Sequence, residues 1–260
     1  MGKEYFGIAF CDQCGEEIER VDLWDVNGTH LGYPEDWWPE DVCDNEECQA
    51  TIEAEREAEE NRVKVMTVEA AQQLLCSDSV SYGELRDDDY THLDLDAAEM
   101  LIRHKELNEE HSSIRLKGLK EITLEVAALF QGYKGKRLNF GKDFVPSVEV
   151  VKLLSKCECE LWFGWEAIPD SYGDEDPIAE ALSHHKGNLG ISANWIATIS
   201  CKWLSNYEGS WLGIGDCGER VHISNESAEL LAKCKYLILD LSTVDEEARE
   251  ILKDTPGCYS

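Results

Sequence analysis

The chain has 260 residues, with 54 Asp and Glu against 24 Lys and Arg, so its formal net charge at pH 7 is 24 − 54 = −30. That excess excludes a duplex-groove reader of the usual kind, because phosphate binding needs clustered Lys and Arg to displace counterions. With 43% hydrophobic residues and 8 Trp, the composition is that of a chain with a packed core rather than a disordered acidic tail.

The first quarter differs from the rest. Residues 1–62 hold 19 acidic and 4 basic side chains, a balance of 4 − 19 = −15 and so half the total charge. Within it lie Cys11-x-x-Cys14-Gly15 and Val-Cys43-Asp-Asn-Glu-Glu-Cys48. The first pair has the tight-turn spacing of a zinc knuckle, and Cys43 and Cys48 complete a closed four-thiolate set. Trp24, Tyr33, Trp37 and Trp38 lie between the pairs and provide a small apolar cover for a metal. A catalytic zinc keeps an open position among His or carboxylate ligands, and only His30 is near, so the expected ion is structural. The paired cysteines imply a zinc-ribbon or treble-clef-like module. The run after Cys48, Gln-Ala-Thr-Ile-Glu-Ala-Glu-Arg-Glu-Ala-Glu-Glu, reads as a solvated acidic helix.

From residue 63 to 260 the chain repeats. Apolar residues that open short alternating runs fall at Leu85, Ile114, Leu138, Leu161, Leu189, Leu212 and Leu237, 23 to 29 residues apart. Each run reads apolar-x-apolar, as in Leu138-Asn-Phe140 and Leu161-Trp-Phe163, which predicts strands with the flanking pair inward and the middle residue outward. A helix follows in each unit, with a small residue and a large apolar one three places later, as in Ala98/Leu101, Ala127/Phe130, Ala179/Leu182 and Ala228/Leu231. Ser, Thr, Asp or Pro stands near the helix starts at Asp94, Thr123, Pro146, Pro177, Ser224 and Asp245. About seven such units predict an α/β fold, an open solenoid with a parallel sheet.

The run Glu180-Ala-Leu-Ser-His-His-Lys-Gly-Asn-Leu-Gly-Ile191, with Ile114-Arg-Leu-Lys-Gly-Leu119, resembles the short leucine-rich-repeat-like arrays of environmental bacteria. The resemblance covers about three-quarters of the chain and implies a recognition or scaffolding module. The chain departs from standard leucine-rich repeats after the strand, where only Asn194 and Cys217 match the Asn/Cys slot and Tyr90, Leu119, Asp143, Glu166 and Ser242 fill the others.

The repeat also disposes of several tempting residues. One column holds His104, Tyr133, Cys157, His185, Tyr207 and Cys234, and a slot filled by three chemistries is a packing position rather than a ligand set. Two stretches, residues 106–113 and 169–176, break the period and read as surface loops.

The outward strand residues are Arg86, Arg115, Asn139, Trp162, Gly190, Gly213 and Ile238. Trp162, with Trp165 and Trp195 nearby, is the expected anchor for a protein partner, with Arg86, Arg115 and Asn139 as a polar entry and the two glycines permitting close approach. By overall charge that partner is basic. The alternatives are an acidic inhibitor or nucleic-acid mimic that neutralises a basic protein, and a zinc-dependent enzyme. Neither a Gly-x-Ser-x-Gly elbow nor a His-Glu-x-x-His helix is present, and Gly213-Ile-Gly215-Asp-Cys-Gly218 overlaps strand positions, so no catalytic residue is nominated. Without an apolar run of about 18 residues or an export signal, the expected compartment is the cytoplasm, with neither membrane nor direct nucleic-acid binding.

Overall fold

A computed structural model describes residues 8–10, 17–19, 50, 51, 54, 58, 62–76, 80, 81, 83–165, 168, 175–192, 196–215 and 221–259. The chain divides into two compact units, Met1–Arg62 and Val63–Ser260.

In the first unit, β1 (Ile8–Phe10) pairs antiparallel with β2 (Glu17–Glu19), Ile8 opposite Glu19 and Phe10 opposite Glu17. Ala50, Thr51, Ala54 and Ala58 are helical.

The second unit opens with β3 (Val65–Met66), α1 (Val68–Cys76) and β4 (Val80–Ser81). Strands and helices then alternate. They run β5 (Glu84–Asp87), β6 (His92–Leu93), α2 (Leu95–Arg103), β7 (Ser113–Leu116), α3 (Leu124–Phe130), β8 (Arg137–Phe140), α4 (Val148–Leu154), β9 (Glu160–Phe163) and α5 (Pro177–Ser183). After these come β10 (Leu189–Ile191), α6 (Thr198–Leu204), β11 (Leu212–Ile214), α7 (Asn225–Leu231), β12 (Leu237–Asp240), α8 (Glu246–Leu252) and β13 (Cys258–Tyr259).

Eight strands form one parallel sheet in the order β13-β12-β11-β10-β9-β8-β7-β5, with β4 antiparallel on the outer side of β5. Gly83, at φ +78°, supplies the left-handed residue that the β4–β5 turn requires. Consecutive parallel strands neighbour one another and consecutive helices pack side by side, so each unit is a strand, a turn and a helix laid on the one before. The sheet is an α/β arrangement of the solenoid-like kind. β3 and β6 form a separate parallel pair just before α1 and α2. The same path continues as a backbone ladder, Thr91 N to Lys64 O, Lys120 N to Thr91 O and Val145 N to Lys120 O, each at 2.8–2.9 Å.

The seven apolar strand openers lie in one register line, Leu85 opposite Ile114, then Leu138, Leu161, Leu189, Leu212 and Leu237. None is more than 1% exposed. Period-two alternation places this line inside, and the helix pairs Ala98/Leu101, Ala127/Phe130, Ala179/Leu182 and Ala228/Leu231 meet it, all at 0% exposure. Thr123, Ser147, Asp176 and Ser224 cap their helices by accepting a backbone N–H three residues on, with Pro177 next in line at the start of α5.

One expectation is refined here. Residues 106–113 keep Glu106, Glu109, Glu110 and His111 at the surface but are anchored at two points: a 3-10 turn, Lys105–Asn108, places Leu107 fully in the core, and the buried Ser112 hydroxyl lies 2.5 Å from Leu107 O and 2.7 Å from Glu109 O, its one proton shared between them. The turn interior of the middle units is aromatic. Phe144 stacks on Phe140 at 4.4 Å, Phe140 on Phe163 at 5.6 Å and Phe163 on Trp165 at 4.2 Å. This ring stack fills the volume below the turns where Leu119 and Phe144, both fully buried, follow β7 and β8. Among the described residues no helix is long and apolar enough to cross a membrane.

Candidate functional site

The outward column is in register as well. Arg86 faces Arg115, Arg115 faces Asn139, Asn139 faces Trp162, and the line continues through Gly190 and Gly213 to Ile238. Sheet pairing alone therefore collects residues spread over more than 150 positions of sequence into one row, about 4.8 Å from strand to strand.

Above the middle of the row opens a groove of about 670 Å³. Its floor is Arg115, Arg137, Asn139 and Trp162, and its rim, at the C-terminal ends of β7 to β9, carries Lys117, Gly118, Gly141, Lys142, Asp143 and Gly164. The rim turns touch through their backbones. A Cβ on Gly118 would overlap the Asp88 carbonyl, and one on Gly141 would overlap that of Lys117, so glycine lets successive turns stack at the unit spacing.

Charge on the floor is arranged in pairs. Glu84 accepts the Arg86 guanidinium at 2.7 Å and forms an ion pair with Arg115; Glu160, only 5% exposed, forms an ion pair with Arg137 at 2.5 Å and accepts the Trp162 Nε1–H. The Arg137 guanidinium lies over the Trp162 ring, 5.1 Å from its centroid, a cation–π contact. Trp211 meets the indole edge-on at 5.9 Å and 64°. Trp162 is thus fixed on several sides while remaining half-buried at the groove surface.

The glycines do not serve the role read for them in the sequence. Gly190 and Gly213 are buried, and a Cβ at Gly190 would overlap the Trp162 indole, while one at Gly213 would lie 3.0 Å from Trp211. The missing side chains seat the protein's own tryptophans rather than admit a partner.

Other nominated residues divide. Arg86 is exposed on β5, and Arg115, Asn139 and Trp162 share the groove. Trp165 is a correction: at 1% exposure, stacked on Phe163 and donating its Nε1–H to Phe144 O at 2.5 Å, it is core and has no surface to offer. Trp195 and the four proposed zinc ligands, Cys11, Cys14, Cys43 and Cys48, lie outside the described residues, as do Asn194, Cys217 and residues 169–174. Among the described residues no group of three His, Cys, Asp or Glu is placed to hold a metal.

Sequence reasoning passed over Lys117 and Lys142. Both are exposed on the rim, and neither forms an ion pair with a described residue. A signal was available: Lys117-Gly118 and Gly141-Lys142 follow the apolar triads of two adjacent units, where strand ends must turn.

Apart from His104, whose buried Nδ1 has no hydrogen-bond partner among the described residues, the interchangeable column is a set of hydrogen-bonding groups aimed at the preceding turn. The Cys157 and Cys234 thiols donate to Phe130 O and Leu204 O, His185 Nδ1 faces Ser155 O at 3.1 Å, and the Tyr133 and Tyr207 hydroxyls donate to Ser112 O and Gly187 O. Burial pushes the Cys234 thiol up to about 12 and holds the His185 imidazole below its usual range. Next to the sheet, burial raises the Asp87 carboxyl to about 6 against the opposing pull of the Tyr90 and Asp89 N–H groups.

The chain matches no known protein family, no curated protein and no solved structure.

Proposed function

We propose that this protein is a non-enzymatic recognition or scaffold module that binds a protein partner on the outward face of its sheet, with Arg86, Arg115, Asn139 and Trp162 as contact residues. The observation that carries this reading is the pre-set indole of Trp162. It is clamped by Glu160, Arg137 and Trp211 yet half-accessible at the floor of a groove of about 670 Å³. Aromatic side chains immobilised before binding lose little conformational freedom on contact, which is why such anchors dominate interface energies. On this reading the stacked units are an open leucine-rich-repeat-like array, and the cysteine-bearing N-terminal unit is held by one structural zinc ion.

A photo-crosslinker placed at residue 139 identifies the partner, and a titration with the purified partner follows. Trp162→Ala loosens the complex by more than about 1 kcal/mol, the usual boundary of a hot spot. Charge reversals at Glu55 and Glu57 leave the affinity within about twofold, a change worth only about 0.4 kcal/mol. Unchanged affinity for Trp162→Ala, with large losses for the charge reversals, overturns the sheet-face reading in favour of the acidic mimic.

A further inference from the structure

The groove is polar and balanced in charge. Its four cations, Arg115, Lys117, Arg137 and Lys142, meet four carboxylates, Glu84 and Glu160 paired with the arginines and Asp88 and Asp143 on the rim, so 4 − 4 = 0. An anionic ligand gains nothing from such a lining and approaches a chain of net charge −30, while a cationic ligand meets four cations at the site itself. An uncharged occupant is the one the lining does not oppose. Hydrogen-bonding groups of both kinds nonetheless stand open in it. The Asn139 amide and the Ser192 hydroxyl make no hydrogen bond to a described residue, and Arg137 spends one terminal nitrogen on Glu160 and keeps further N–H donors. Amide, guanidinium and carboxylate are planar two-headed groups, each able to engage two neighbouring hydroxyls at once.

Apolar surface is confined to one place. Phe140 and Phe163 are at most 1% exposed and offer the groove no ring, which leaves the indole of Trp162. A Cβ on Gly190 would lie 2.3–2.5 Å from Cδ2, Cε2 and Cε3 of that indole, so the ring rests flat on the glycine with one face toward the sheet and the other turned away from it. Arg137 approaches to 5.1 Å from the ring centroid, and the indole still stays half-exposed.

A sugar ring, with C–H groups on its faces and hydroxyls around its edge, calls for this combination of one aromatic surface and paired donors and acceptors without net charge. The centre of a direct protein contact is instead apolar and poor in charged residues. Resting on the sheet-face reading above, we infer that the part of the protein partner entering the groove is a neutral glycan, one pyranose ring packed against Trp162 and its neighbour hydrogen-bonded to Asn139 and Arg137. From β7, which carries Arg115, to β9, which carries Trp162, is two strand spacings, about 10 Å, or about two sugar rings. Uronic acids, sulfated sugars and free amino sugars are disfavoured by the same balance that admits the neutral ones.

The test uses the full chain on arrays of immobilised oligosaccharides: neutral hexose and N-acetylhexosamine chains, uronate or sulfated chains, and chains with free amino groups. The expected result is retention of neutral chains above both charged groups, falling about tenfold in Trp162→Ala and about threefold in Asn139→Ala with unchanged circular dichroism. Raising NaCl from about 0.05 to about 0.5 M changes that retention by less than about twofold, because there is no net charge to screen. In a second arm, the partner cross-linked through residue 139 is no longer captured after enzymatic deglycosylation, which locates the sugar on the partner. Stronger retention of either charged group, or neutral retention indifferent to Trp162→Ala, overturns the neutral-glycan assignment. Capture of a protein that needs Trp162 and survives deglycosylation also overturns it and leaves the sheet-face reading intact. Trp162-dependent retention of neutral chains with no cross-linked protein overturns the attachment of the sugar to a protein. Absence of any Trp162-dependent capture, of sugar or of protein, overturns both readings.

Discussion

The Cys157 thiol donates to the carbonyl oxygen of Phe130 at 3.2 Å, reaching from one unit to the last residue of α3 in the unit before it. Carbonyls at helix C-termini have lone pairs to spare, and Phe130 O takes the thiol as a second donor beside the Tyr133 N–H. Cys234 does the same for Leu204 O, the last residue of α6, and His185 faces Ser155 O just past α4. A thiol or an imidazole is equally suitable, since the slot asks for one N–H or S–H at one place.

Removing that donor gives the first prediction. Cys157→Ala lowers unfolding free energy by about 1 kcal/mol, because Phe130 O keeps the Tyr133 N–H but loses its second donor, and a little apolar volume is lost. Cys157→Ser, which keeps a donor, loses less. Urea denaturation of the three proteins decides it; equal losses for Ala and Ser would show that the hydrogen bond is not what the slot requires.

Thiol reactivity follows from burial. Cys201 and Cys234 are pushed up to about 12 by desolvation, whereas Cys76 is exposed on α1. The thiolate is the nucleophile, so at pH 8 both buried thiols are almost wholly protonated. Brief alkylation of the native protein followed by peptide mapping should label Cys76 and spare Cys201 and Cys234 until denaturant is added.

Asp87 gives a pH signature. Its folded-state carboxyl, raised by burial to about 6 from an ordinary 3.8, binds a proton more tightly than in the unfolded chain. The native state therefore holds more protons between those values, and stability falls as pH rises from about 4 to about 6. Asp87→Asn retains an acceptor for the Tyr90 and Asp89 N–H groups without the charge. It should be more stable than the parent at pH 7 and lose that advantage at pH 3.5, as read by thermal melts at the two pH values.

Gly190→Ala tests the seating of the indole. The new methyl would occupy the place of the Trp162 ring, so the ring must lift away from the Arg137 and Trp211 contacts. Fluorotryptophan NMR, with the Trp162 line assigned from Trp162→Phe, should show that line shifted and broadened in Gly190→Ala. An unmoved line would mean that the glycine is not the indole's seat.

Zinc is tested by composition. Cys11, Cys14, Cys43 and Cys48 are proposed to hold one ion, so elemental analysis should give about one zinc per chain and Cys14→Ser should lose it. Full zinc content in that variant removes Cys14 from the set.

Much of the sheet was legible in the sequence because its governing interaction is local and periodic. Leu85 through Leu237 announce themselves by alternation, and register then follows from unit length. β13 escaped because Cys258-Tyr259 lacks the apolar-x-apolar run and is held mainly by its neighbour, Leu239 opposite Cys258. The groove was only half legible. Alternation places Asn139 and Trp162 outward, yet nothing in sequence tells whether Gly190 is open space or the bed of a tryptophan three-dimensionally adjacent but 28 residues away. Trp165 escaped for a related reason: a turn residue is exposed or buried according to what its own strand and the neighbouring unit place against it, here Phe163 of the same unit and Phe144 of the unit before.

The two ends of the sheet are unlike. β4 runs against β5, while β13, at the far end, still runs with β12. A strand laid antiparallel interrupts the parallel ladder, so among the described residues the run of like-oriented strands ends at β5. Tandem duplication can lengthen such a protein from within or beyond β12, where the strands keep the polarity a copied unit needs, whereas at β4 a copied unit would not find a parallel neighbour. The groove over β7 to β9 therefore sits near the fixed end, and its residues can keep their mutual spacing while the number of units behind them changes.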